Sequence, residues 1–449
     1  MRHRFVSGTI LVAVLAGTTA FATRQPSRGD AAAQKEDLLV FERDFFNVDK
    51  AYSPAARAEA RKRIDALAAS AGKISDARFV LMLSQVVALA DNGHSWMITR
   101  GNAPELARVG VRLAPLGTDF YVLRAAPDRA DLLGGRLVAI DGVPLAQLRD
   151  SARTLTGGIP SWRDRSAPTL LESPGALHAM GIIKSPTQAT YRFQMRDGRN
   201  REVVLTAVPD PQGGGMHRAA AILEPGSGTA GWRALLASEK APWSLQEWGE
   251  TMRRRDAPDM DAMTIQLRAN VDGEQPIAQF LEASEAARKA AGRKNIVLDM
   301  RMNGGGNLQL TREWMSSITS KLPADGRIVV LTSPWTFSAA ISSTGYLKQG
   351  GGTRVVLAGE APGDRLRFFA EGQQPAMLPH SGAMVLMATQ RHDYLTGCQG
   401  FSDCHGAVVR FPIAVKSLDP EVPAPWTLES YAAGRDPGME AAQRILSHR

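Results

Sequence analysis

The spacing of apolar residues changes three times along the chain, and each change marks a different kind of structure. Ser53-Pro54 supplies an N-cap followed by proline at the first helical position, which predicts a helix running to Ala68. A second helix is expected from Asp76, because Phe79, Val80, Leu83, Val86, Val87 and Leu89 fall on one helical stripe. Asp91-Asn92-Gly93 stops it, and His94 follows at once. Residues 36–100 therefore read as an N-terminal helical subdomain. From 105 to 207 the pattern shortens to strands and turns: VGVRLAPL, DFYVLRAA and GGRLVAIDG, closed by a hairpin about Asp197-Gly198. A linker rich in glycine and proline, 208–229, leads into residues 230–449. There strands and helices alternate: AMTIQLRAN, the helix PIAQFLEASEAARKAAG, NIVLDMR, a helix over 308–321, RIVVLT, a helix over 338–348, and RVVLAG. This order predicts an α/β domain with helices covering a sheet.

A chain of 449 residues is long enough for two or three domains, and 44% hydrophobic residues with 22% charged exclude disorder over most of it. Residues 1–22 read as a signal peptide: Arg2 and Arg4 precede the apolar run Gly8 to Ala16, and Ala20-Phe21-Ala22 is a cleavage site. An uncleaved anchor is the other reading, although the run is short for a span. Residues 23–35 are expected to be a disordered leader, and the mature protein to be exported to the periplasm without a stable membrane span. Losing the two arginines lowers the net charge from +8 to +6. The longest basic run, Arg253-Arg254-Arg255, meets Asp256 directly, so the charge reads as solvated faces and no nucleic-acid partner is expected. Cys398 and Cys404, the two cysteines, are expected to pair in an oxidising compartment. With His405 they match no zinc spacing, and with no metal-ligand cluster or nucleotide motif in the sequence no cofactor is expected.

Two turns at strand ends carry candidate chemistry. Asp299-Met300-Arg301-Met302-Asn303-Gly304-Gly305-Gly306 has three glycines between a strand and a helix, freeing backbone N–H groups to converge on one point, as an oxyanion hole requires. Ser333-Pro334-Trp335-Thr336-Phe337-Ser338-Ala339-Ala340 places Ser338 at a helix N-terminus, either as a cap or as a nucleophile beside exposed donors.

The DxRxNGGG turn, the TFSAA serine, the strand ending Gly359-Glu360 and the closing stretch SLDPEVPAPWTLESYAAGRDPGMEAA resemble the tail-specific (C-terminal processing) proteases, and the resemblance covers most of residues 36–446. It implies a crotonase-like spiral of β-β-α units for 230–449 and a PDZ-like domain for 105–207. It also implies Ser338 as nucleophile, with an oxyanion hole from the Ala339 N–H and the glycine turn, Gly304 and Gly305 foremost. One branch of the family uses a lysine base in a GxxTxGK turn. Here the comparable turn carries Asp364 and Arg365, and arginine is not a base at ordinary pH. The other branch, resembling the tricorn core and the retinoid-binding relatives, implies His94 as base, with His380, His392 and His405 as competitors. The third member falls to Glu360 or Glu371, neither of which lies where the tricorn-type glutamate does. The reading is an exported serine endopeptidase acting on polypeptides through an acyl-enzyme, with a non-catalytic ligand- or peptide-binding protein on the same fold as the alternative. Oligomeric state is not legible in the sequence.

Overall fold

The computed structural model describes residues 29–99, 104–208, 222–226, 231–372 and 374–447, so the expected signal peptide lies outside the described residues. Helix α1 (Ala31–Phe41) begins inside the segment expected to be a disordered leader. Asp30 caps it, accepting from the Ala32 N–H at 2.8 Å. Hydrophobic periodicity missed this helix because half of what it buries is polar. Gln34 donates to Asp76 at 2.7 Å, and Asp37 accepts the backbone N–H groups of His380 and Ser381.

Helices α2 (Pro54–Ser70) and α3 (Asp76–Ala88) follow, capped by the Ser53 and Ser75 side chains. With α1 they enclose a core of Phe41, Phe45, Phe46, Ile64, Leu67, Phe79, Leu83 and Val86. The same core takes in Leu378, Val385 and Met387 from far along the chain. The strand β1 (Trp96–Ile98) accordingly pairs antiparallel with Met384–Leu386. The helical segment is thus welded to the C-terminal half.

Residues 104–208 form an antiparallel sheet in which β2 (Val111–Leu116), β3 (Asp119–Ala125), β4 (Arg136–Ile140), β5 (Gln188–Gln194) and β6 (Asn200–Val208) are successive neighbours. Between β4 and β5 the chain makes four short helices where only strands and turns were expected: α4 (Leu145–Arg153), α5 (Pro160–Ser166), α6 (Pro168–Leu171) and α7 (Pro174–Ala179). The last three each open on a proline, whose fixed φ suits the first turn. They are too short to show a hydrophobic period.

The C-terminal part is built on a six-stranded sheet of β7 (Met252–Ala257), β8 (Ala262–Leu267), β9 (Asn295–Asp299), β10 (Ile328–Thr332), β11 (Val355–Gly359) and a final short strand, Val422–Pro423, in that spatial order. The first pair is antiparallel and the rest parallel. Helices α8 (Ile277–Ala290), α9 (Gln309–Lys321) and α10 (Ala339–Gly351) connect the parallel strands, and β9 and β10 are buried at every position. A near-continuous apolar run is what a strand covered on both faces requires. This is a mixed α/β molecule with several sheets. Beyond β11, β12 (Arg367–Ala370) and β13 (Gln390–Asp393) pair antiparallel, and the last helix, Pro437–Ser447, packs against β10 and β11.

Candidate active site

The carboxyl ends of β9, β10 and β11 lie side by side, and the turns that leave them are laced together. Phe337 N–H donates to Asn303 O at 3.0 Å, Thr336 Oγ1 to Met300 O at 2.9 Å, and Ser333 Oγ to Arg301 O at 2.5 Å. The third turn joins them through Gly363 N–H, which donates to Thr336 O at 2.9 Å. In an open parallel sheet this edge is where sites form, because strand ends and helix N-termini converge there.

Ser338 stands immediately before α10 with φ 56° and ψ −125°. A non-glycine residue in this region costs about 1–3 kcal/mol and is held only where its surroundings dictate it. Its side chain does not cap the helix, which answers the bland reading of this serine. The geometry also shows why glycine is needed opposite. A Cβ on Gly305 (φ 105°) would lie 2.6 Å from Ser338 Cβ and 3.1 Å from the Ala339 nitrogen. The glycine turn is therefore packed against the serine and the first amide of α10, one of the N–H groups a helix leaves without an internal partner. Of the two glycines expected to supply the oxyanion hole, Gly305 has its N–H engaged by Asn303 Oδ1 at 2.9 Å, whereas Gly304 is exposed.

His94 reaches the same place from the other end of the chain. Its ring lies between Phe337 (centroids 4.3 Å apart) and Phe368 (5.0 Å, planes within 7°), which fixes its plane. Its Nδ1 is 3.6 Å from Asp364 Oδ2. Among the described residues both imidazole nitrogens and that carboxylate oxygen are buried and make no hydrogen bond. Buried orphans of this kind call for an explanation, and a small closure of the ring on Asp364 would supply it for Nδ1 and the carboxylate. The loop bearing His94 is clamped on three sides. Asn92 exchanges two hydrogen bonds with the Phe369 backbone at 3.0 and 3.1 Å. Asp91 pairs with Arg163 and Arg365. Ser95 donates to the buried Asp49 at 2.7 Å.

The remaining candidates are dispersed. Glu360, expected to orient His94, faces a cavity of about 230 Å³ lined also by Leu116, Thr118, Arg165, Trp335 and Trp426. Burial there pushes its carboxyl up to about 7, against the pull of Arg301. The carboxylate beside His94 is Asp364, which the sequence offered only as the residue standing in place of a lysine. Glu371 lies instead beside His392, at 3.6 Å. His380 pairs with Glu36 on the N-terminal helical segment, and His405 stacks on His392. Cys398 and Cys404 are joined in a disulfide. Sequence reasoning missed the aromatic frame: Trp162 stacks on Phe337 at 3.6 Å, so that Trp162, Phe337, His94, Phe368, His392 and His405 form one continuous column of rings. No local pattern could reveal it, since its six members come from six separate places along the chain.

Beneath the glycine turn lies a buried ion cluster. Arg301, 2% exposed, makes paired hydrogen bonds to Asp299 (2.9 and 2.9 Å) and to Asp436 (2.6 and 2.9 Å). Ser244 and Gln266 complete the shells of the two carboxylates. The cluster ties the closing GRDPG stretch to the strand that leads into the glycine turn.

No protein-family description matches this chain, and no curated protein does. Solved structures do. Mature CPAF complexed with lactacystin is 12% identical, with a TM-score of 0.54 over 93% of this chain and 97% of that one. A serine-to-alanine mutant of CPAF has the same identity and TM-score over 93% and 96%. The photosystem II D1 C-terminal processing protease is 15% identical over 93% of this chain and 97% of that one, with a TM-score of 0.36. The likeness to CPAF shows a shared fold over nearly the whole of both chains.

Proposed function

We propose that the chain is an exported serine-type peptidase of the tail-specific protease class, cleaving polypeptides through an acyl-enzyme on Ser338. The observation that carries this reading is the strained Ser338, held uncapped at the end of a parallel strand against the glycine turn, in the same neighbourhood as His94 and Asp364. In the reaction, His94 takes the proton of Ser338 Oγ as the oxygen attacks a peptide carbonyl. Asp364 stabilises the imidazolium and fixes its tautomer, and the Ala339 and Gly304 N–H groups receive the oxyanion. The imidazolium then protonates the leaving amine, and water, deprotonated by the same ring, releases the acyl group. The TFSAA and DxRxNGGG turns and the fold shared with CPAF support the assignment. The crotonase-like spiral for 230–449 and a PDZ-like role for 105–207, capturing an extended chain by strand addition, belong to the same proposal.

The test is labelling with a fluorophosphonate, followed by peptide mass spectrometry. An adduct on Ser338 that is lost in His94→Ala establishes the activated nucleophile. A folded sample that gives no adduct leaves the binding-protein reading, which the unengaged nitrogens of His94 favour.

A further inference from the structure

The ring column does not end at the catalytic histidine. Phe368 stands directly opposite His392 in the register of β12 and β13, and their rings stack at 4.9 Å. His405 stacks on the far face of His392 at 5.2 Å, with the planes within 11°. It is held there by backbone: Arg391 N–H donates to Asp403 O at 2.8 Å and His405 N–H to Arg391 O at 2.9 Å, while the Cys398–Cys404 disulfide closes the loop just before it. Glu371, at the end of β12, faces the same point. Its backbone adopts φ 53°.

We propose that Glu371, His392 and His405 form a binding site for a divalent transition-metal ion of the zinc class. One donor atom from each residue lies within 4.8 Å of the others. His392 Nε2 and Glu371 Oε1 are 3.6 Å apart. That is too long for a hydrogen bond, but close to the ~3.4 Å edge of a tetrahedron with ~2.1 Å zinc–ligand bonds. An independent observation points the same way. His392 is 2% exposed, and among the described residues its Nε2 has no hydrogen-bond partner; nor does the buried Nδ1 of His405. Glu371, 3.6 Å from His392 Nε2, hydrogen-bonds to neither of these nitrogens. A shared cation satisfies both.

The outer shell suits ligation. Tyr394 OH lies 2.7 Å from His392 Nδ1 and 2.6 Å from Ser342 Oγ, so the nitrogen facing away from Glu371 already has a partner to fix the ring. Two imidazoles and one carboxylate leave a fourth position for solvent, and the set is borderline-soft, which favours zinc over calcium or magnesium. Bound there, the ion would lock β12 to β13 and fix Phe368, on which His94 rests. Its place is structural, at the end of the column away from Ser338, and it stands whether or not the peptidase reading does.

The experiment titrates the full chain with Zn²⁺ and, separately, with Co²⁺, without thiol reductant, which would chelate the metal and free two thiolates. The expected result is one equivalent bound, with visible cobalt bands of a four- or five-coordinate site. Glu371→Gln and His405→Ala should each weaken binding at least about tenfold while leaving the metal-free melting temperature near that of the parent. Glu371 is largely exposed, so its variant keeps the test valid if the histidine change disturbs folding. No stoichiometric binding, or binding equally tight in both variants, overturns the proposal.

Discussion

At the scale of single residues the site turns on which carboxylate serves His94. Glu360 was the carboxylate expected there, but its side chain faces a cavity beside Arg165, Trp335 and Trp426. Asp364 occupies the place next to the ring. Asp364→Ala should therefore reduce the rate of fluorophosphonate labelling by about 10²–10⁴-fold, while Glu360→Gln leaves it within a few-fold of the parent. Glu360 should show itself in stability instead. Its folded pKa, about 7, lies above the ordinary 4.5. The neutral carboxyl is favoured in the folded chain, so the stability it contributes is present below 4.5 and is lost as the pH rises through about 7. Glu360→Gln should then gain roughly 1–3 kcal/mol in denaturant unfolding above that range and little below 4.5. Equal effects at both ends would refute the assignment.

At the scale of elements, the glycine turn is set from below by the Asp299–Arg301–Asp436 cluster. Removing one partner of a buried ion pair strands the others without water, and this costs about 3–5 kcal/mol. Arg301→Met should lower stability by that amount, whereas Arg301→Met combined with Asp299→Asn and Asp436→Asn should recover part of it; urea unfolding of the three proteins decides. A gentler case is the clamp on the histidine loop. Asn92→Ala removes both bonds to β12. The expected cost is ~1–3 kcal/mol, with labelling of Ser338 slowed because His94 is no longer held against Phe368. The helices between β4 and β5 make a related point. The last three begin on prolines that the sequence displays openly, but only the stacking of Trp162, on α5, against Phe337 shows what α5 is for.

At the scale of the whole molecule, the site is an assembly of three parts. The N-terminal helices deliver His94, the β-rich part delivers Trp162, and the α/β part delivers Ser338 and Asp364. Because the core of the helical segment includes Leu378, Val385 and Met387, the parts are expected to unfold together rather than as independent units. A fragment comprising 230–449 alone should not react with a fluorophosphonate, since it lacks the base and one side of the aromatic column. Adding residues 29–208 in trans and recovering the adduct would confirm that assembly is the missing factor. A reactive fragment would show that Ser338 is activated from within its own part.

The sequence determined by itself what depends on neighbouring residues. The parallel strands with their helices, the helix cap at Ser53, the helix start at Asp76, the glycine turn and the serine turn are all local patterns, and the structure places elements where those patterns fall. The capped helix α1 escaped because half of its buried face, Gln34 and Asp37, is polar, which hydropathy counts as surface. Contacts between distant segments were decided only by the tertiary structure: Asp364 rather than Glu360 beside His94, the column of rings, and the meeting of Glu371, His392 and His405. Chain spacing carries no record of such encounters. They follow from the register of β12 on β13, the lacing of three strand-end turns, and the return of residues 376–387 onto the N-terminal core, each fixed by burial over the whole molecule.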